Sequence, residues 1–148
     1  MSLDADALDF ARRCRIALFA SRSPRGAPFL TPLWVVEHGG RFFCTTAAAS
    51  VTVRNVDANG EAVLLLYPAR GRDERALRMH GRATARRGRL PLGVLWAMAR
   101  KYYAAPSGLA IELAHARLWL LRLRYYGQSQ PALLEFTATA AEWVPLAA

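Results

Sequence analysis

The feature that most constrains the fold is a series of short strand-like runs separated by tight-turn sequences. Ser23-Pro24-Arg25-Gly26 places proline and glycine at favoured turn positions, and His38-Gly39-Gly40 is typical of a tight hairpin. The flanking runs predict strands over residues 15–22, from Pro28 to Glu37, and from Arg41 to Thr45. Because connections this short join antiparallel neighbours, we expect the first third of the chain to form antiparallel sheet.

The remainder of the chain continues in the same way, with few helical segments. Periodicity and capping residues predict helices over residues 4–14, from Ser50 to Asn59, and over residues 92–104. Further strands are predicted from Ala62 to Tyr67 (apolar on both faces, and so central and buried), over residues 75–86, and over residues 117–126 and 132–139. About six strands, joined mostly by hairpins, predict a mainly β protein. We expect an antiparallel barrel with a few peripheral helices, forming one domain over residues 1–148.

Composition excludes several classes of function. The chain has 148 residues with a net charge of +9, and 19 of its 20 basic residues are arginine, Lys101 being the exception. The arginines are scattered rather than clustered, which argues against nucleic acid as a partner, although a basic surface favours anionic ligands. No apolar run is long enough to span a membrane, and the first residues do not resemble a secretory signal. Two distant cysteines, Cys14 and Cys44, predict no disulfide framework and no zinc site, and a cytoplasmic location is expected.

A hydroxyl-rich loop between two strand-like runs is the best candidate for ligand binding. It leads from the third predicted strand into a short helix and contains Thr45, Thr46, Ser50, Thr52 and Arg54. Hydroxyl donors, backbone N–H groups at a helix N-terminus and a guanidinium together suit one phosphate group. The same residues also suit an ordinary helix cap, and both interpretations stay open at this point.

An ordered series of motifs resembles one known family. The series comprises the Pro24-x-Gly26 turn, Thr31-Pro32-Leu33-Trp34, Phe42-Phe43-Cys44-Thr45-Thr46, Ser50-x-Thr52-x-Arg54-Asn55-Val56, and Arg78-x-His80-Gly81-Arg82-Ala83. In this order it is similar to the pyridoxamine 5′-phosphate oxidase-like proteins over roughly residues 8–87. These proteins are FMN-binding split β-barrels, so the resemblance implies a Greek-key-like antiparallel barrel.

The resemblance also implies a homodimer with two flavin sites at the subunit interface. The segment expected to run along the isoalloxazine is Thr31, Pro32, Leu33 and Trp34, and proline within a strand independently indicates an edge or a bulge. The phosphate positions of the family correspond to Thr46, Ser50, Thr52 and Arg54, with Thr52 in place of a family lysine. His80 and Arg82 lie on one face of a predicted strand. That face is expected towards the flavin, towards the dimer seam, or simply in solvent.

The implied function is an FMN-dependent oxidoreductase that transfers hydride between the flavin and a small conjugated substrate. No hydrolase elbow, P-loop, HExxH or Cys-x-x-Cys motif is present, so a bound cofactor would carry the reaction, and no catalytic side chain can be named. An F420-dependent reductase is the alternative within enzymes. A non-catalytic flavin- or haem-binding protein is the alternative outside them, with His38, His80 and His115 as the available axial ligands. The aromatic residues Trp96, Tyr102 and Tyr103 suit either a substrate-side wall or a core or interface.

Overall fold

The described residues form a closed antiparallel barrel with three helices, which confirms the predicted mainly β class and split-barrel architecture. The computed structural model describes residues 3–68, 75–88, 91–102 and 130–146. The elements are α1 (Ala5–Arg13), β1 (Ile16–Arg22), β2 (Pro28–His38), β3 (Arg41–Ala47), α2 (Val51–Ala58), β4 (Glu61–Leu66), β5 (Arg75–Arg87), α3 (Leu92–Tyr102) and β6 (Pro131–Pro145). The strands close in the order β1-β2-β3-β6-β5-β4. Within the described ranges, no helix has both the length and the apolar character needed to cross a membrane.

The predicted β2–β3 hairpin is confirmed, and its geometry explains the two glycines. His38 pairs with Arg41, so Gly39 and Gly40 are the whole loop, with φ values of 63° and 76°. A two-residue hairpin loop of type I′ requires positive φ at both positions, and glycine adopts positive φ without steric cost. The turn therefore fixes the register of the pair.

The barrel interior is filled by alternate residues of all six strands. Phe19, Phe42 and Phe136 are fully buried, and the rings of Phe19 and Phe42 each lie 6.4 Å from that of Phe136. The alternation predicted for β5 is confirmed, because Leu77, Met79 and Ala83 are buried whereas the arginines between them are exposed. Inward-facing apolar residues therefore define the core, as expected for a sheet with one solvated face.

Two strand predictions need correction. The last strand runs from Pro131 to Pro145, not over residues 132–139, because its second half pairs with the first half of β5 beyond a bulge at His80/Gly81. The strand β4 is central as predicted, pairing with β1 and β5, but its outward residues Val63 and Leu65 are only half-buried. Both are apolar because they belong to a larger exposed apolar surface, described below. The predicted strand over 117–126, together with Tyr103 and His115, lies outside the described residues.

The feature of the barrel that positions the candidate site is the place where β2 and β3 separate. β2 pairs with β1 from Pro28 to Trp34, whereas β3 pairs with β2 only from Val35 to His38. Among the described residues, the stretch Pro28–Trp34 therefore has one side without a paired strand, here called the β2 open edge. Pro32 lies within it, in agreement with the edge, one of the two positions that proline indicated.

Candidate functional site

Four hydroxyl residues gather where α2 meets the β2 open edge. Ser50 is the N-cap of α2, and its Oγ accepts a hydrogen bond from the Val53 N–H (3.2 Å) and one from Thr46 Oγ1 (3.2 Å). Thr52 Oγ1 lies 2.9 Å from Thr31 Oγ1 on β2. Thr31, Thr46, Ser50 and Thr52 are here called the hydroxyl cluster. The structure thus brings together residues that the sequence nominated separately, as strand residues and as loop residues.

The hydroxyl cluster retains donors for a ligand. In the Thr46–Ser50 pair, Ser50 accepts and keeps its own hydroxyl hydrogen, and in the Thr31–Thr52 pair one of the two hydroxyl hydrogens is not used between them. The N–H groups of Val51 and Thr52 lie in the first turn of α2, where a helix offers its donors no partner of its own. The cluster can therefore donate several hydrogen bonds to an anion at a helix N-terminus.

Arg54 is the nearest cation along the chain. It lies on the exposed side of α2, and within the described parts of the chain its guanidinium has no hydrogen bond or ion pair. It follows Ser50 by four residues, and helical side chains lean towards the N-terminus of their helix. Its guanidinium can therefore extend over the turn that contains Ser50 and Val51. Thr52, at the family's lysine position, is instead 1% exposed and faces β2.

The remaining residues of the predicted isoalloxazine segment divide between the two faces of β2. Leu33 is buried in the barrel core, whereas Pro32 and Trp34 lie on the outer face. Trp34 is 41% exposed and stacks on Tyr102 of α3, with ring centroids 4.5 Å apart and planes 9° from parallel. Thr45 is half-buried on β3, opposite Leu133 of β6. The segment therefore presents an open backbone edge that ends in a stacked aromatic pair.

His80 and Arg82 lie apart from the hydroxyl cluster within one chain. Both are exposed on the outer face of β5, which pairs with β4 and β6 and lies three strands from β2 in the barrel order. His80 Nε2 is 3.5 Å from Glu142 Oε1, a carboxylate that also accepts from Arg78 Nε at 2.8 Å. In the single chain these two residues therefore lie on a solvent-exposed strand face, which was one of the predicted alternatives.

A polar clamp that no sequence pattern predicted lies at the point where β2 leaves β3. Tyr102 of α3 donates its hydroxyl hydrogen to the backbone oxygen of Arg15 or Val35 and accepts from Val35 N (2.8 Å). Lys101 Nζ donates to the same Val35 oxygen at 2.9 Å. Burial raises the pKa of the Tyr102 hydroxyl well above its usual range, so it stays protonated. The one sequence signal available was that Lys101 is the only lysine.

We expect Tyr102→Phe to lower the free energy of unfolding by about 1–2 kcal/mol. The ring and its stack on Trp34 remain, but the Arg15 and Val35 backbone groups lose the hydroxyl that connects them. Urea unfolding followed by tryptophan fluorescence measures the change. An unfolding free energy equal to that of the wild type would mean that the clamp contributes nothing to folding.

The described side chains offer no cluster of ligands for a metal ion. Among the described residues, no group of three or more histidine, cysteine or acidic side chains is placed to hold a metal ion. His38 ends β2 at the hairpin, and His80 is on the outer face of β5. Of the three nominated axial ligands, His115 lies outside the described residues.

Comparison with known proteins agrees with this architecture. A family profile described as pyridoxamine 5′-phosphate oxidase matches residues 3–140. Among solved structures, the chain is similar to a conserved hypothetical protein of Mycobacterium tuberculosis, with 17% identity, a TM-score of 0.68, and coverage of 98% of this chain and 86% of the other. It is also similar to an F420 reductase (15% identity, TM-score 0.62, coverage 90% and 94%). A third similar structure is the haem storage protein HutZ of Vibrio cholerae (12% identity, TM-score 0.61, coverage 98% and 95%). No curated protein matches the sequence.

Proposed function

The chain belongs to the pyridoxamine 5′-phosphate oxidase family, and we propose that it is a cytoplasmic, FMN-dependent oxidoreductase that acts on a small conjugated substrate. When bound, the flavin supplies the hydride-transfer chemistry. The protein's contribution is to bind the phosphate, to align the ring along the β2 open edge, and to exclude water from the ring with a second subunit. No side chain is assigned as an acid or a base.

The observation that carries this proposal is the hydrogen bond between Thr31 and Thr52. It joins the β2 open edge to the first turn of α2, at 2.9 Å between the two hydroxyl oxygens, and supports a phosphate site at that helix N-terminus. A flavin mononucleotide has a flat ring with a polar edge and a phosphate joined by a short chain. It therefore needs a backbone edge and an anion site as neighbours, and the hydroxyl cluster and the β2 open edge meet that need.

The donor set fits a phosphate, although it differs from the family pattern. Thr52 replaces the lysine, and losing one charge-assisted bond weakens binding by roughly 1.5–3 kcal/mol. The chain's single lysine, Lys101, contacts Val35 instead. Arg54 is therefore the cation proposed to grip the phosphate, together with Ser50, Thr46 and the first-turn N–H groups.

We expect Arg54→Ala to weaken FMN binding by at least about tenfold, since it removes one charge-assisted bond to the phosphate. Titration of the apoprotein with FMN, followed by flavin fluorescence, measures the dissociation constant. Riboflavin, which lacks the phosphate, is expected to bind the wild type and the variant equally. That second titration separates loss of a phosphate contact from damage to the ring site.

Arg100→Ala is the matched control, because Arg100 is an exposed arginine of α3 and its removal changes the net charge equally. It is expected to leave the FMN dissociation constant within about twofold of the wild type, since exposed, distant charges are screened. Equal FMN affinities for Arg54→Ala and Arg100→Ala would remove Arg54 from the phosphate site.

An F420-dependent reductase is the second candidate. Thr52 is buried and faces β2, so the phosphate site lacks the cation that the family's FMN pattern has at this position. An F420 reductase is among the structures that share the fold. The basic surface suits the anionic tail of that cofactor. Retention of F420 but not FMN by the purified protein would favour this candidate, and a Soret band would favour haem.

Homodimer formation is part of the proposal and is supported by an apolar surface outside the barrel. Pairing registers place outward residues of three adjacent strands in rows, with Ala20 between Leu30 and Val63, and Leu18 between Pro32 and Leu65. This outer apolar face consists of Leu30, Pro32 and Trp34 of β2, Ile16, Leu18 and Ala20 of β1, and Val63 and Leu65 of β4. Continuous apolar surface of this kind marks association sites. It adjoins the β2 open edge, so a second subunit docked there would close the cofactor site.

A further inference from the structure

A groove lies between the C-terminal half of α2 and β5, away from the hydroxyl cluster at the N-terminus of the same helix. Its volume is about 360 Å³, in the lower part of the range for small-molecule sites. The lining residues are Val56, Asp57, Gly60, Arg82, Ala83, Thr84 and Ala85. A hydrogen bond from Ala83 N to Gly60 O (2.7 Å) fixes β5 to the segment that follows α2. The groove is therefore held by backbone on both sides.

The absence of a side chain at Gly60 allows the Arg82 guanidinium to lie in this groove. A Cβ on Gly60 would be 3.5 Å from Nη2 of Arg82 and 4.0 Å from its Cζ. The guanidinium thus lies beside the bare backbone of Gly60, and Arg82 remains exposed to solvent. A ligand in the groove can therefore reach its N–H groups.

The Arg82 guanidinium has no acceptor of its own. Within the described parts of the chain, its side chain has no hydrogen bond and no ion pair, even with Glu61, which pairs with it across β4. Asp57, the acidic residue of the groove, forms an ion pair with Arg87, whose Nη1 is 3.4 Å from Asp57 Oδ1. Because that pair is neutral as a unit, Arg82 gives the groove one unbalanced positive charge.

We propose that this groove binds a small monocarboxylate with a compact apolar body. A guanidinium donates two parallel hydrogen bonds to a carboxylate, and Arg82 has its donors available for them. The ligand body would rest on Gly60, Ala83 and Ala85, since none of these has a side chain larger than a methyl group. A single unbalanced cation compensates a monoanion, whereas a dianion would leave negative charge beside Asp57. The site is independent of the proposed function, because no residue of the hydroxyl cluster lines it.

The test titrates the isotopically labelled protein, without flavin, with benzoate and follows backbone amide signals by NMR. Saturable shifts are expected at Gly60, Ala83 and Ala85. Benzamide, which has nearly the same shape but no charge, should bind at least about tenfold more weakly, since it lacks the charge-assisted pair. Phenyl phosphate, a dianion above about pH 7, should bind no more tightly than benzoate. Equal affinities for benzoate and benzamide, or tighter binding of phenyl phosphate, would overturn the proposal.

Arg82→Gln should weaken benzoate binding at least about tenfold. Arg78→Gln is the matched control, because it removes the same charge from the same face of β5, where Arg78 Nε donates to Glu142 Oε1 (2.8 Å). It should leave the benzoate dissociation constant within about twofold of the wild type. Equal affinities in these two variants would remove Arg82 from the site and overturn the proposal.

Asp57→Asn tests the charge assignment in the opposite direction. It removes the one carboxylate that lines the groove and leaves Arg87 without its partner, so benzoate binding should strengthen several-fold. Phenyl phosphate should gain more than benzoate, because two cations then face the dianion. Unchanged affinities for both compounds would show that the charges of the groove do not select its ligand, and would contradict the proposed class of monocarboxylates.

Discussion

Gly81→Ala is expected to destabilise the barrel by about 3 kcal/mol or more, a large share of the roughly 5–15 kcal/mol that stabilises a domain of this kind. A Cβ at position 81 would lie 2.1 Å from the backbone oxygen of Thr137 and 2.8 Å from the Phe136 ring. The backbone of β6 cannot move away from position 81 without breaking the hydrogen bonds between β5 and β6 at the bulge. The clash therefore has to be relieved by separating the two strands that close the sheet. Denaturant unfolding followed by circular dichroism measures the loss.

Gly93→Ala is the matched control, because it adds the same single carbon. At position 93 a Cβ would lie 3.0 Å from Nε2 of His38, the far end of an exposed side chain that can rotate away. Since alanine is also the better helix former, the variant is expected to be neutral or more stable by up to about 1 kcal/mol. If Gly81→Ala and Gly93→Ala had similar unfolding free energies, the close approach of β5 and β6 would be wrong.

Leu30→Glu is expected to convert the proposed homodimer to a monomer, weakening self-association at least about 100-fold. Leu30 is 64% exposed and lies in the outer apolar face between Pro28 and Pro32. Burying a carboxylate without a partner in an apolar interface is strongly unfavourable, whereas in the single chain the substitution leaves the core intact. Sedimentation velocity at several concentrations measures the association. FMN affinity should fall in parallel, because a second subunit is proposed to close the site.

Leu92→Glu provides the comparison. Leu92 is 83% exposed on α3, outside the outer apolar face, so its replacement should change neither self-association nor FMN binding. Thermal unfolding of both variants at low concentration checks that each chain is folded. A Leu30→Glu protein that sediments as a dimer would place the interface elsewhere on the barrel.

Local features of the fold were predictable because neighbouring residues determine them. Asp4 caps α1 by accepting from Ala7 N at 2.7 Å, and Ser50 caps α2, both at the residues where the predicted helices begin. The Gly39-Gly40 loop and the outward arginines of β5 also followed from turn chemistry and two-residue periodicity. The end of β6 was missed, since Ala140 and Ala141 show no alternation. Their strand conformation comes from pairing with His80 and Met79, some sixty residues earlier in the chain.

The candidate site was predictable only in part. Thr46 and Ser50 are four residues apart, and a hydroxyl-rich loop before a helix indicates their contact. Thr31 and Thr52 were each nominated, but their hydrogen bond depends on where α2 packs against β2. His80 and Arg82 were nominated with them and lie three strands away in the same chain. Whether a partner subunit brings them near the cofactor stays a prediction.

The sequence by itself determined most of the described strand and helix segments, the hairpin glycines, the family pattern and the hydroxyl-rich helix cap. These depend on side-chain periodicity and on hydrogen bonds between residues a few positions apart. The tertiary structure alone decided that β2 leaves β3 at Val35, that Tyr102 and Lys101 meet it there, and that Thr52 faces Thr31. The hydrogen bonds among these residues join positions 21 to 67 apart in the chain. Closure of the barrel, rather than local conformational preference, therefore determines which of these distant groups come into contact.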